Sequence, residues 1–267
     1  MNAGSFKLWA KTLLNRKPGM LEAARQLLFR LGGTVYRNEL EWLARVFNGR
    51  RGVVFLQIGA NDGMSDDSIY PFVQANDWRG VLVEPVGHLF DRLVANYAGA
   101  EGLAFEKKAL LEKDGKVTFY RLKETTDPMP GWYDQIGSLK LDVILSHRSS
   151  IPNIADYLVE EEVEGVCFTT LMASHGLKSV DLILIDTEGY DLNILRTIDF
   201  QRFRPELIIY EDKHLSIPDK ARAAALLRSY GYVVHPIGAN NAATLSAIWN
   251  LPYWRHRLSV SASTRSI

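Results

Sequence analysis

From Val53 onward, short apolar runs alternate with stretches whose apolar residues recur every three or four positions. The runs Val53–Ile58, Val81–Glu84, Leu103–Leu111, Val117–Leu122, Val163–Phe168, Val180–Ile185 and Leu207–Tyr210 have the length of strands. Between them, Ile69–Gln74, Leu89–Tyr97, Leu192–Ile198 and Pro218–Tyr230 read as helices. Asp66 and Asp67 suit the start of the first, where Pro71 calls for a late start or a kink. Gly231 stops the last. Asp114-Gly115 marks a turn between the third and fourth runs, and Tyr232–Pro236 and Thr244–Trp249 are expected to pair antiparallel over Asn240-Asn241. Strands alternating with helices predict an α/β fold: a doubly wound, mostly parallel sheet covered on both faces. Ligands in such sheets bind beyond the carboxyl ends of the strands.

Residues 5–47 read mainly as helices, with apolar spacing over Leu21–Leu31 and Glu39–Phe47 and a break at Gly32-Gly33. The chain thus divides into an N-terminal helical extension (1–50), a main domain (51–250) and a tail (251–267). Residues 123–160 are the least regular, with Pro128, Pro130, Gly131, Gly137 and Pro152. A segment of that length is expected to cover a site.

Composition narrows this little. The 31 basic and 31 acidic residues cancel, which gives no general electrostatic case for nucleic acid. The single cysteine, Cys167, rules out a disulfide within the chain and a cysteine-rich metal site. It is expected to be a small core residue, and a reducing, cytoplasmic setting fits. No apolar run approaches the ~20 residues that span a bilayer, and a secretory signal is not recognisable. Lys7, Lys11, Arg16 and Lys17 precede the first acid, Glu22, while Phe6, Trp9 and Leu13 fall at helical spacing. A helix packed on the main domain, a peripheral membrane helix and a transit peptide all fit that pattern.

The strand ends carry the chemistry. The first ends in Gly59-Ala60-Asn61-Asp62-Gly63 and the second in Glu84-Pro85. The Val180 strand ends in Asp186-Thr187-Glu188-Gly189, and the Leu207 strand in Glu211-Asp212-Lys213-His214. Glycines let a backbone approach a ligand closely. The spacing lacks the G-x-G-x-x-G of dinucleotide-binding turns, and no Gly-Lys-Ser/Thr phosphate loop is present. Glu84, 25 residues after Gly59, can accept hydrogen bonds from both hydroxyls of a ribose. A tight turn and a rim carboxylate are the plainer readings of the two features. Together they suggest an adenosine-containing ligand without phosphate, S-adenosylmethionine.

LQIGANDG, VLVEP, VDLILIDTEGYDLNILRTI and RPELIIYE, between Val53 and Trp249, resemble the FkbM-type methyltransferases. That resemblance implies O-methylation of hydroxyls on sugars and polyketide-derived molecules. It also implies a Rossmann-like seven-stranded sheet with a final antiparallel strand. By position, Gly59, Ala60, Asn61 and Gly63, with Asp62 in the same loop, would cradle the methionine end. Glu84 would hold the ribose with Pro85 shaping the turn, Lys108 and Ala109 would lie near the adenine, and Ser138 over the pocket. Two departures stand out: Gln57 replaces an acid usual in the first strand, and Thr170-Leu171-Met172 replaces Thr-Leu-Asp.

A sugar hydroxyl needs help to lose its proton, from a base or a metal. Asp186, Glu188, Glu211, Asp212 and His214 are the candidates. His214 is the first choice for base because its ordinary pKa lies near neutrality. Asp186, directly after a buried strand, is also placed to contact the cofactor, and Glu188 or Asp191 could cap the next helix. Asp186, Glu211 and His214 could hold Mg²⁺ or Mn²⁺, although nothing in the spacing requires a metal. His88, His147, His175, His235 and His256 form no ligand spacing, though His147 could face an acceptor from the irregular segment. Trp132 and Tyr133 could stack on a sugar or simply lock their loop. The expected activity is S-adenosylmethionine-dependent O-methylation of a sugar, glycolipid or secondary metabolite. An NAD(P)-dependent oxidoreductase and a non-catalytic, membrane-docked scaffold are the rivals.

Overall fold

The computed structural model describes residues 38–245 apart from Asn48 and Asp66. The basic N-terminal segment, the Leu21–Leu31 helix, Trp249, His256 and the tail lie outside the described residues. Helix α1 (Glu39–Phe47) lies as expected, burying Trp42, Leu43, Val46 and Phe47 on one side. Strand β1 (Val54–Ile58) leads to α2 (Tyr70–Asn76), which carries Pro71 in its first turn. The Asp67 carboxylate accepts the Ile69 and Tyr70 amides there, covering donors that have no partner within the helix. Then follow β2 (Arg79–Val83), α3 (Gly87–Asn96) and β3 (Leu103–Glu106).

The expected single strand Leu103–Leu111 is two. It breaks at Lys107-Lys108, and β4 (Ala109–Leu111) enters a second sheet with β5 (Gly115–Leu122) and β6 (Gly137–Ser138). Helix α4 (Leu141–Ser146) follows, then β7 (Leu158–Cys167), which separates β4 from β5. The Asp114-Gly115 turn therefore does not join paired strands. Strand β7 pairs antiparallel with β5 from Leu158 to Gly165, so it begins earlier than the apolar run at Val163. Its first half carries Glu160, Glu161 and Glu162, of which Glu161 and Glu162 pair with Arg121 and Lys116 on β5. A strand with one solvated face alternates and hides from a search for continuous apolar runs.

Cys167 is half-buried rather than in the core. Its sulfur lies 3.2 Å from the Thr169 and Thr170 hydroxyls at the start of α5 (Phe168–Ser174). The chain continues through β8 (Leu182–Ile185), α6 (Asp191–Thr197), β9 (Leu207–Glu211) and α7 (Ile217–Ser229), capped by the Ser216 hydroxyl. Strands β10 (Tyr232–Ile237) and β11 (Asn240–Leu245) close it. Their turn lies at Gly238-Ala239, two residues before the expected Asn240-Asn241, because Gly238 takes the positive φ of 69°.

The main sheet has seven strands in the order β10-β11-β9-β8-β1-β2-β3, and β11 runs antiparallel to both neighbours. This is the doubly wound α/β architecture with a final antiparallel strand. Alternate residues of the central strands feed opposite faces. Leu56, Ile58, Val81, Val83, Ile183 and Ile185 meet α5, α6 and α7. Phe55, Leu82, Leu182, Leu184 and Ile209 meet α1, α2 and α3. Truncating one such side chain to alanine costs roughly 2–5 kcal/mol. Residues 123–157 form a small core of their own around Leu122, Tyr133, Ile136, Ile144, Ile151 and Ile154. Among the described residues, no helix is long and apolar enough to cross a membrane.

Candidate functional site

Adjacent parallel strands bring their carboxyl ends together, and β1 and β8 do so tightly. Asp186 N–H donates to the Ile58 carbonyl at 2.9 Å, and Gly59 N–H donates to the Val83 carbonyl of β2 at 2.9 Å. Gly59 takes a φ of +77°, and a Cβ there would stand 1.7 Å from the Asp186 carbonyl oxygen. Only glycine permits that approach. Beyond the pinch lies a cavity of about 640 Å³, lined by Gly59, Ala60 and Asn61, by Glu84 and Pro85, by Lys108 and Ala109, and by Trp132, Asp186 and Glu188. Its size falls in the range of small-molecule sites.

Glu84 is buried where β2 ends. Its carboxylate accepts the Asn61 amide on one oxygen and the Val86 amide on the other, each at 2.9 Å. The acid therefore shapes the Gly59–Gly63 loop and still has lone pairs for a ligand. Burial pushes its carboxyl up to about 7 against the pull of those two amides. Asn61, at a φ of +51°, also donates its side-chain amide to the Gln135 carbonyl, tying the loop to the segment above.

The far wall is acidic. Burial, then the charges of Glu188, Asp191 and Glu39, hold the Asp186 carboxyl well above the usual range, although its surface opens to the cavity. Glu211 is buried at the end of β9, and burial with Asp186 beside it pushes its carboxyl up to about 9. Glu188 is different. Burial works to raise it, yet His214 nearby keeps it below its ordinary value. Its Oε2 lies 2.8 Å from His214 Nε2. The His147 ring lies 5.6 Å from that of His214 and 5.3 Å from that of Trp132, forming one aromatic wall. The expected metal trio Asp186, Glu211 and His214 is not what gathers. Two groups do, Asp186–Glu188–Glu211 and His147–Glu188–His214, sharing Glu188.

Several expected residues stand behind the cavity. Asp62 staples its own loop, accepting the Met64 and Ser65 amides and the Ser65 hydroxyl. Gly63 packs on Leu93 and Tyr97. Tyr133 is buried and donates its hydroxyl to the Lys123 carbonyl. Ser138 is buried and donates to the Glu188 carbonyl, while Lys140 Nζ donates to the Gly189 carbonyl, so β6 and its successor brace the Glu188 turn. Asp191 accepts the Thr187 hydroxyl and the Gly189 amide at the start of α6. Met172, where the resemblance suggested an acid, sits in the hydrophobic core.

Other residues line the cavity without having been singled out. Lys213 enters from the β9 end. Glu39 of α1 also lines it, accepting from the Ser68 hydroxyl at 2.5 Å and from the Asn240 amide. Nothing in the sequence marks an acid in the first turn of a surface helix as a site residue. Gln57 donates to the Asp67 carboxylate at 2.9 Å, and its buried Oε1 has no hydrogen-bond partner. An unmet acceptor with Glu39 and Asp67 beside it suits a cationic group, which is what the amino end of S-adenosylmethionine carries.

Residues 57–234 match the sequence model of a family described as the methyltransferase FkbM domain, about two thirds of the chain. No curated protein matches. Among solved structures, an FkbM methyltransferase from Methylobacillus flagellatus KT is 11% identical, with a TM-score of 0.44 over 72% of this chain and 43% of that one. A precorrin-6y C5,15-methyltransferase from Geobacter metallireducens GS-15 is 12% identical, with a TM-score of 0.34 over 69% and 66%. An S-adenosylmethionine-dependent methyltransferase from Aquifex aeolicus is 10% identical, with a TM-score of 0.36 over 78% and 89%. The chain thus spans less than half of the Methylobacillus chain it matches. On the extent of its match, the chain belongs to the FkbM methyltransferase domain family.

Proposed function

We propose that the chain transfers the methyl group of S-adenosylmethionine to a hydroxyl of a sugar, glycolipid or secondary metabolite. The observation that carries this reading is Glu84: a buried carboxylate at the end of β2 that lines the cavity and accepts an amide of the glycine loop. The bound cofactor supplies a methyl on a sulfonium. Glu84 takes the ribose hydroxyls, the loop at Gly59–Asn61 lies against the amino-acid tail, and Lys108 and Ala109 flank the base. Trp132, 38% exposed, offers an apolar ring to the face of a sugar. His147, Glu188 and His214 sit beside it to lower the pKa of the acceptor hydroxyl or take its proton. Holding that oxygen in line with the sulfur–methyl bond supplies much of the acceleration.

The test is transfer of a labelled methyl group to a panel of glycosides. Label in a single hydroxyl position, lost in Glu84→Ala, supports the reading. Label on nitrogen or carbon, or none with any hydroxylated acceptor, contradicts it.

The acidic wall gives a second check. In the free protein, burial with Asp186, Glu188 and Asp191 pushes Glu211 up to about 9, and burial with Glu188, Asp191 and Glu39 raises Asp186. A sulfonium and an ammonium favour the ionised forms, so cofactor binding lowers these pKa values and releases protons. The binding enthalpy is expected to vary with the ionisation enthalpy of the buffer, and affinity to rise between pH 7 and 9. Buffer-independent heats would show that the wall does not feel the cofactor charge.

A further inference from the structure

Three buried polar atoms converge beside the cavity, His147 Nε2, Glu188 Oε2 and His214 Nε2, and His147 Nε2 has no hydrogen-bond partner. They come from three separate places, the turn after α4, the loop after β8 and the loop after β9. Their ligand atoms nevertheless lie within 4.8 Å of one another. Glu188 Oε2 and His214 Nε2 lie 2.8 Å apart. The His214 side chain is only 10% exposed. A buried polar atom left unpaired costs about 1–3 kcal/mol, so His147 Nε2, unpaired and within 4.8 Å of the Glu188–His214 contact, implies that a group shared by all three fills the point between them. The turn that presents Glu188 is held in place. Glu188 takes a φ of +50°, and Ser138 and Lys140 bind the carbonyls of Glu188 and Gly189. A non-glycine residue kept in that region points to a functional constraint.

We infer that His147, Glu188 and His214 bind one divalent transition-metal ion, with Zn(II) as the reference. Two imidazoles and a carboxylate with a position left open form the donor set of catalytic zinc sites. Mg²⁺ prefers oxygen ligands and water, so it is the wrong ion for this set. The all-oxygen trio Asp186–Glu188–Glu211 shares Glu188 and competes for it. Lys213 lines the same cavity, and its charge opposes the ion without supplying a ligand. The role of the site rests on the proposed methyl transfer; the binding itself does not. In that reaction the acceptor hydroxyl takes the open position, where its pKa falls and its proton passes to water. The resulting alkoxide forms the bond to the methyl carbon as the sulfur–methyl bond breaks and S-adenosylhomocysteine leaves.

Zn(II) titrated by calorimetry into the full, tag-free chain, with visible absorption of the Co(II) form, tests the site. One ion per chain is expected, bound at least tenfold more weakly by His147→Ala, His214→Ala and Glu188→Gln. S-adenosylmethionine affinity is expected to stay within threefold in these variants, which also reports that they fold. Absence of saturable Zn(II) binding would overturn the inference. So would Zn(II) binding that survives both histidine substitutions, or preferential Mg²⁺ binding abolished by Asp186→Asn. If Zn(II) behaves as expected while S-adenosylmethionine does not bind, the metal site stands and the methyl-transfer reading fails.

Discussion

Gly59→Ala is expected to cost about 4 kcal/mol or more, much of the ~5–15 kcal/mol that holds a typical domain together. Two penalties add. A φ of +77° in the left-handed region costs an L residue roughly 1–2 kcal/mol. The new Cβ would also stand 1.7 Å from the Asp186 carbonyl oxygen and 2.8 Å from its carbon, which are backbone atoms and cannot swing aside. Relief requires β1 and β8 to part at their carboxyl ends, stretching the Asp186-to-Ile58 and Gly59-to-Val83 hydrogen bonds. Gly99→Ala is the control, because Gly99 has a φ of +87° but nothing within 4 Å of the added carbon. It should lose only the roughly 1–2 kcal/mol of backbone strain. Urea unfolding of the two variants separates strain from collision. Equal losses would mean that the strand ends are not pinched and that the cavity floor is built otherwise.

The second large effect is on turnover. His214→Ala is expected to lower kcat by about 10²–10⁴ while leaving the affinity for S-adenosylmethionine within threefold. His214 is nearly buried and touches Glu188, which lines the cavity, but it is not itself among the residues that line the cavity with Glu84 and the glycine loop. The variant therefore removes the group next to the acceptor oxygen and leaves the cofactor contacts in place. Single-turnover transfer and cofactor titration together decide it. A loss of cofactor affinity with unchanged kcat would move His214 to the other side of the chemistry.

The elements that announced themselves in the sequence are those buried on both faces. Val53–Ile58, Val180–Ile185 and Leu207–Tyr210 are apolar runs, broken only at Gln57 and Asp181, because α-helices cover both sides of their strands, and they became β1, β8 and β9. The second sheet was only partly legible, for the converse reason: Val117–Leu122 became β5 and the run at Val163 became the end of β7, but β6 and the first half of β7 were not legible. Strand β7 places Glu160, Glu162 and Glu164 on a solvated face, and β6 is two residues long. The break between β3 and β4 falls at two lysines inside an otherwise apolar stretch, and only the partner strands decide it.

The site divides in the same way. Glycines and carboxylates that directly follow strands were readable from the chain, since the sheet geometry fixes where strand ends go. Residues carried in by irregular or remote segments were named without a fixed place, as His147, Trp132 and Ser138 were, or missed, as Glu39 was. His147 arrives on a turn, Glu39 on a helix outside the family match, and Ser138 turns its hydroxyl away to hold the backbone of Glu188. Tyr133 and Trp132 are neighbours in sequence, yet one is locked in a small core and the other lines the cavity.

Calorimetric titration of S-adenosylmethionine into the wild-type chain and into Glu84→Ala, with NADH as the comparison ligand, addresses the central claim most directly. The account predicts micromolar-range binding of S-adenosylmethionine to the wild type, weakened about 100-fold or more in the variant, and no binding of NADH. Binding of NADH but not S-adenosylmethionine, or equal affinity of both proteins for S-adenosylmethionine, would contradict it.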